Sequence, residues 1–271
     1  MIEEIFPPYL HNPEQVQAAF DLLDARCSDE DVKQLYFAFE KYLGIKPKDG
    51  YPITRAFTTG QFVRARLNDG NFLAAKSVNE IGVNLNKISQ GRANPDSIPI
   101  FYSANRRLTA MREILQHQQS GVYEMTIGIW FNPVELCMVN LVDNSDEDFK
   151  DLSFVHSNPN LYVKDWPDGP RQSAILLNDY FRKKMKAKQA PGLFNITNVL
   201  SVICYSLHDV DGIGYGAVSD SFRGYNMAIK NYQRLTCKEV ERWKIQKFDD
   251  DNYSEQLLCT GKISAEGTIT W

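Results

Sequence analysis

Apolar residues recur at helical spacing near the start of the chain. Val16, Phe20 and Leu23 share one face of residues 13–26, behind Asn12 and a first-turn proline, which predicts an amphipathic helix capped by Asn12. Residues 29–44, "DEDVKQLYFAFEKYLG", repeat the pattern with acids in the first turn and Gly44 at the end, and Ser28 stands where a cap would be. These two segments predict a helical hairpin. After the linker-like "IKPKDG" the spacing changes to that of strands: "QFVRARLN" at 61–68 and, beyond an irregular stretch at 71–90, "SIPIFYSA" at 97–104. Residues 105–121 return to a helical period, with Leu108, Met111 and Leu115 on one side, Asn105 as cap and Gly121 as stop.

Two strands then follow, "VYEMTIGIWF" and "ELCMVNLVD". The acidic run at 143–151 reads as a solvated loop, "FRKKMKAK" as the wet side of a helix over 172–187, and 194–208 as a more buried helix. "GIGYGAV" and "YNMAIK" predict two strands around a polar turn, and the tail predicts a hairpin turning at "DDDN". No internal repeat is evident. The expected fold class is α+β with an N-terminal helical hairpin. The expected organisation is a helical extension at 1–46, a central domain at 47–235 and a C-terminal β-hairpin extension at 236–271.

Composition narrows the function classes. With 43% hydrophobic and 24% charged residues the chain can bury a core without staples. A formal net charge of −4 gives no basic footprint for nucleic acid. Five widely spaced cysteines contain no C-x-x-C pair, so reduced thiols in the cytoplasm are expected. The first ten residues, "MIEEIFPPYL", carry acids where a secretion signal needs positive charge, and no segment is long and apolar enough to span a bilayer.

Candidate chemistry concentrates in three blocks: "FVRARLN", "GRANPDSIPIFYSANRRLTAMREI" and "GIGYGAVSDSFRGYNMAI". Together, over roughly residues 60–231, they resemble the RES family, named for an arginine, a glutamate and a serine. Arg64 matches the first block. Gly91, Arg92, Asn94, Pro95, Tyr102, Thr109, Ala110 and Glu113 match the second, the most specific of the three. Gly212, Ile213, Tyr215, Gly224 and Asn226 match the last. The family serine falls on Ala217, and Ser219, two residues on, is the candidate substitute.

The resemblance implies a mixed or antiparallel β core like that of ADP-ribosyltransferases and an enzyme that consumes NAD⁺ as substrate, with no other cofactor. Phosphorolysis, hydrolysis and ADP-ribosyl transfer stay open, as does a binding module that has lost turnover with Ala217. It further implies a toxin held by an antitoxin protein, and a homo-oligomer is an added expectation. Cleaving the nicotinamide–ribose bond develops positive charge on the ribose, which a fixed carboxylate stabilises more than it stabilises the ground state; Glu113 is the candidate. Arg64 and Arg92 offer planar donor forks for phosphate. Tyr102 and Tyr215 are candidates to shape the pocket, with Ser219 and Asn226 as polar contacts.

Other chemistries find no support. Glu113 and His117 share a helical face, but H-E-x-x-H is absent and no third metal ligand is indicated. "GYGAVS" is not a G-x-S-x-G elbow, and no Ser, His and Asp set presents itself.

Overall fold

Asn12 accepts from Gln15 N at 3.0 Å and starts helix α1 (Pro13–Arg26). The next helix, α2 (Val32–Leu43), is capped by Asp31 rather than by Ser28. The Asp31 carboxylate accepts from Gln34 N at 2.8 Å while Asp31 N donates to the Gln34 side chain at 3.1 Å, a reciprocal box that satisfies two orphan donors where a lone serine would satisfy one. Gly44, at φ 67°, ends this helix in the left-handed conformation that side-chain-bearing residues avoid.

The structure, a computed structural model, describes residues 6–44, 53, 55–68, 73–85, 91–95, 98–142, 163–187, 192–207, 209–220 and 223–271. The expected linker at 45–50 and the acidic loop at 143–151 lie outside them. Beyond the hairpin the elements run β1 (Arg55–Leu67), a short α3 (Val78–Ile81), β2 (Phe101–Ala104), α4 (Arg107–Leu115), β3 (Gly121–Leu141), α5 (Asp168–Lys186) and α6 (Leu193–Ser206). Five strands follow: β4 (Gly212–Gly216), β5 (Tyr225–Ile229), β6 (Thr236–Lys247), β7 (Tyr253–Ile263) and β8 (Ile269–Thr270). Parallel and antiparallel pairings coexist, so the fold class is α+β, as expected. Among the described residues no helix is long and apolar enough to cross a membrane.

Two departures from the sequence reading have local causes. The two strands expected at 122–131 and 135–143 are one strand, β3, of 21 residues. Residues 121–131 of it pair with β6 throughout, and 138–141 pair with β4, so Pro133 lies between two paired stretches and breaks neither. Asn105 does not cap α4. Its side chain accepts from Tyr225 N at 2.9 Å and its own N–H donates to Tyr225 O at 3.1 Å, which prolongs the β2–β5 ladder by one step. The helix begins one residue later, with Arg106 at the cap position.

The chain forms two compact units. One contains residues 1–57, 89–98 and 137–215. In it Phe20 of α1 stacks on Tyr180 of α5 at 3.9 Å between centroids and on Phe39 of α2 at 6.0 Å. The end of β3 pairs in parallel with β4, from Met138 opposite Gly212 to Leu141 opposite Tyr215. That pairing is closed by Asp211 N donating to Cys137 O at 2.7 Å and Cys137 N donating to the Asp211 carboxylate at 2.9 Å.

The other unit contains residues 58–88, 99–136 and 216–271. Its strands pair in the order β5, β2, β1, β3, β6, β7, β8. The β6–β7 hairpin turns at residues 248–252, as the tail's pattern predicted. Beneath α4 lies a core of Val63, Ala65, Ala104, Met111, Leu115, Met125, Ile127 and Ile129. Val63 and Ala65 of β1 and Met125, Ile127 and Ile129 of β3 therefore face α4, and the even-numbered residues between them face the other side of the sheet.

Candidate active site

Alternation along the strands decides which candidates meet. Val63 pairs with Ala104, and Ala104 with Asn226, so these residues share the face that α4 covers; Tyr102, two residues before Ala104, shares it too. Helix α4 carries Glu113. Its carboxylate is half-buried and accepts from the Ser219 hydroxyl through Oε1, while Oε2 receives a long bond of 3.4 Å from Gln116 Nε2. Ser219 sits in a single 3-10 turn, Val218–Asp220, at the end of the segment that leaves β4. The chain thus places a serine hydroxyl on Glu113 although the family's serine position is Ala217.

One contact closes that turn and another sets it against α4. Ala217 N donates to Gly224 O at 3.0 Å, and Gly224 lies so close to buried Thr109 that a Cβ there would stand 2.9 Å from Thr109 Cβ and nearer still to its Oγ1. Thr109 and Gly224 belong to different motif blocks, and their packing is what joins them. At the start of α4, Arg107 reaches across to β6 in a forked pair with the Glu241 carboxylate, 2.7 Å in each limb, and Trp243 Nε1 donates to the same carboxylate at 2.8 Å. Sequence reasoning missed Arg107, because an arginine on a helix beside other arginines carries no signal for a partner 134 residues away.

Arg64 stands on the opposite face. Its guanidinium lies 4.9 Å from the Phe101 ring centroid, and Nη1 donates to the Tyr102 carbonyl at 2.8 Å. Burial pulls its pKa down to about 9, with Arg66 adding to the fall and Tyr102 opposing it, so the group stays cationic at neutral pH. Its Nε is buried without a hydrogen-bond partner. Asn226 is buried in β5.

Arg92 and Tyr215 belong to the first unit. Tyr215 is buried in β4 opposite Leu141. Arg92 closes the C-terminal end of α5: one nitrogen donates to Met185 O at 2.9 Å and to Ala187 O at 2.8 Å, where a cation also meets the negative end of the helix dipole. Beside it, Asn94 receives its own anchor, its N–H donating to Asn198 Oδ1 at 3.0 Å and its amide to Ile98 O at 2.7 Å. Arg92 and Asn94 thus make structural contacts within and beside the Gly-Arg-x-Asn-Pro turn.

The fold and the glutamate–serine contact define an α+β protein whose second unit presents a supported carboxylate on a helix. Residues 74–194 match the family model described as RES domain, a family associated with NAD-related activity. No curated protein matches the chain.

Proposed function

We propose that the second unit cleaves the nicotinamide–ribose bond of NAD⁺, passing the ADP-ribosyl group to phosphate or water. Glu113 stabilises the positive charge that develops on the ribose as nicotinamide leaves; the electrons of the glycosidic bond depart with the nicotinamide, and the incoming oxygen closes on the opposite side. Ser219 acts as a positioning residue: its hydroxyl occupies Oε1 and so fixes the carboxylate's rotamer. Tyr102 and Asn226, on the same face as α4, are read as the walls that orient the ribosyl and nicotinamide groups. Arg64 fixes the short strand that carries Tyr102 through that residue's carbonyl.

The observation that carries this reading is the Glu113–Ser219 contact, since an acid that merely faced solvent would have no partner aimed at it from the last motif block. It also favours turnover over a binding module disabled at Ala217, because a hydroxyl is supplied two residues on. The test is nicotinamide release from NAD⁺, with and without inorganic phosphate, by the native chain and by Glu113→Ala, with products identified by mass. Loss of a stabilising contact of this kind lowers kcat by about 10²–10³-fold. Equal background release by both proteins under all conditions would remove the proposal, whereas binding of NAD⁺ with the bond intact would select the binding module.

A further inference from the structure

Alternation along β6 puts Glu241, Trp243, Ile245 and Lys247 on the face that α4 covers, since Glu241 pairs with Ile127, Trp243 with Met125 and Lys247 with Gly121. The helix is tied to the β6–β7 hairpin at three points along its length. Arg107 at its start forks onto Glu241, the Arg112 guanidinium lies 5.4 Å from the Tyr253 ring centroid, and Lys247 reaches its end. Glu241, Lys247 and Tyr253 all lie beyond the segment that the family model matches.

Lys247 differs from the other two ties because it is buried. Its side chain is 2% exposed, and a lysine is almost never buried to that degree unless it is paired. Nζ has three donors and meets three acceptors: Leu115 O at 2.9 Å, Gln118 O at 2.8 Å and the exposed Asp250 carboxylate at 2.7 Å. Leu115 is the last residue of α4, and Gln118 belongs to the turn that follows, its N–H donating to the same Leu115 carbonyl at 3.0 Å. The ammonium therefore sits at the negative end of the helix, where carbonyls lack partners within the helix. For stability alone a buried ammonium is a poor choice, because its desolvation is costly and an apolar side chain of similar volume often serves as well.

What the lysine adds is direction. Met111 and Leu115 set how deep the helix sits in the core through contacts with no preferred angle, whereas a charge-assisted bond to a main-chain oxygen also fixes the last turn along and around the helix axis. Glu113 is in that turn, two residues before Leu115. Ser219 holds its carboxylate, and Lys247 holds the backbone that carries it.

We infer that Lys247 is a positioning residue for Glu113, acting through the last turn of α4; this rests on the reading of Glu113 as the carboxylate that stabilises the ribosyl cation. Lys247 touches no substrate. It fixes where the carboxylate stands, and a misplacement of about 1 Å at such a group can cost about 10²-fold in rate. The terminal hairpin then sets the geometry of the reaction although no motif block reaches it.

Nicotinamide release and amide hydrogen exchange on the full chain test this, with Lys247→Met, Lys247→Gln, Asp250→Asn and the double variant Ser219→Ala with Lys247→Met. Methionine fills the site but donates nothing, and glutamine is shorter and uncharged. Expected are a fall in kcat of about tenfold in Lys247→Met with KM within about twofold, and native kcat in Asp250→Asn, which leaves both carbonyl bonds in place. A lysine that only stabilised the fold would lower Tm, and any effect on kcat would multiply with that of Ser219→Ala. Two supports of one carboxylate are instead coupled, so the double variant's kcat should lie roughly threefold or more above that product. Exchange at Met111 to Leu115, which needs no substrate, should quicken in Lys247→Met, and Lys247→Gln supplies the same readings if the methionine variant does not fold. Native kcat in a folded Lys247 variant, independent effects in the double variant, or unchanged exchange overturns the inference and leaves NAD⁺ cleavage standing. No nicotinamide release by the native chain overturns both, and the native control tells that failure from the first.

Discussion

The two halves of the second motif block meet different fates. Gly91 to Pro95 lie in the first unit, where Arg92 answers helix-end carbonyls and Asn94 answers Asn198, Pro95 and Ile98. Tyr102 to Glu113 lie in the second, where a carboxylate is aimed by a single serine and keeps Oε2 engaged only by a 3.4 Å contact. In sequence an arginine and a glutamate of one block look like equal candidates for chemistry. The difference lies in what they meet: Arg92 Nη1 is engaged by two helix-end carbonyls, whereas Glu113 is met by a side chain from the last motif block.

Gly224→Ala should give the largest effect, because the added methyl overlaps Thr109 beneath the turn that presents Ser219. Overpacking of this kind costs about 1–3 kcal/mol, here toward the upper end because backbone meets a fully buried side chain. Thermal unfolding should show a Tm about 6 °C lower. Nicotinamide release should fall with it, and Thr109→Ala in the same chain should restore both in part. A folded, fully active Gly224→Ala would mean that the turn's placement does not matter to Glu113.

Arg92→Ala tests the anchoring half. Losing two charge-assisted bonds at the end of α5 should cost about 2 kcal/mol, and Tm should fall by about 4–6 °C. The kcat and KM for NAD⁺ should stay within about twofold, since small KM changes follow when no substrate contact is removed. If Tm holds and KM rises tenfold, Arg92 contacts phosphate after all and the contrast between the halves fails.

How much of this was legible in sequence follows the same division. The helical hairpin, the strand around Arg64, the strand and helix around Tyr102 and Glu113, and the terminal hairpin could be read because their periods of 2 and 3.6 are local. The single long β3 could not: Pro133 reads as a break unless one knows that pairing resumes with a different partner beyond it. Nor could the sheet faces be read. "VRARL" tells that Arg64 and Arg66 share a face, but only the pairing of Val63 with Ala104 shows that this face is the one α4 does not cover. The Ser219 contact was foreseeable as a substitution for the family serine, whereas Lys247 carries no motif at all and gains meaning only from the helix-end carbonyls that it meets.

Ser219→Ala removes the hydroxyl that holds Oε1 and leaves the carboxylate free to turn. A tenfold drop in kcat, equivalent to about 1.4 kcal/mol, is the expected size for a lost positioning bond. KM should change little, and Ser219→Thr should recover most of the rate. Adding Ala217→Ser to Ser219→Ala should rescue activity only if a hydroxyl at either position reaches Glu113. An unaltered kcat in a folded Ser219→Ala would leave Glu113 without its support and return the serine to a turn residue.

The smallest effect separates the halves by pH. Burial pushes the Glu241 carboxyl up, but bonds from Arg107 and Trp243 and the Arg107 charge outweigh it and leave the pKa below the ordinary carboxylate value. A depressed folded value means that the pair's contribution is complete above the unfolded pKa of about 4.3 and is lost as pH falls through the folded one. Arg107 is itself shifted upward by the same pair and stays charged across that window. The hold on the start of α4 should therefore weaken below about pH 4, by about 1 kcal/mol given that Arg107 is partly exposed. The Arg92 anchor, made of a guanidinium and neutral carbonyls, has nothing that titrates there. Unfolding measured from pH 7 to 3.5 should show Arg107→Ala losing less stability on acidification than the native chain, and Arg92→Ala losing the same amount. If both variants track the native chain, the Arg107–Glu241 fork does not contribute to holding the helix that carries Glu113.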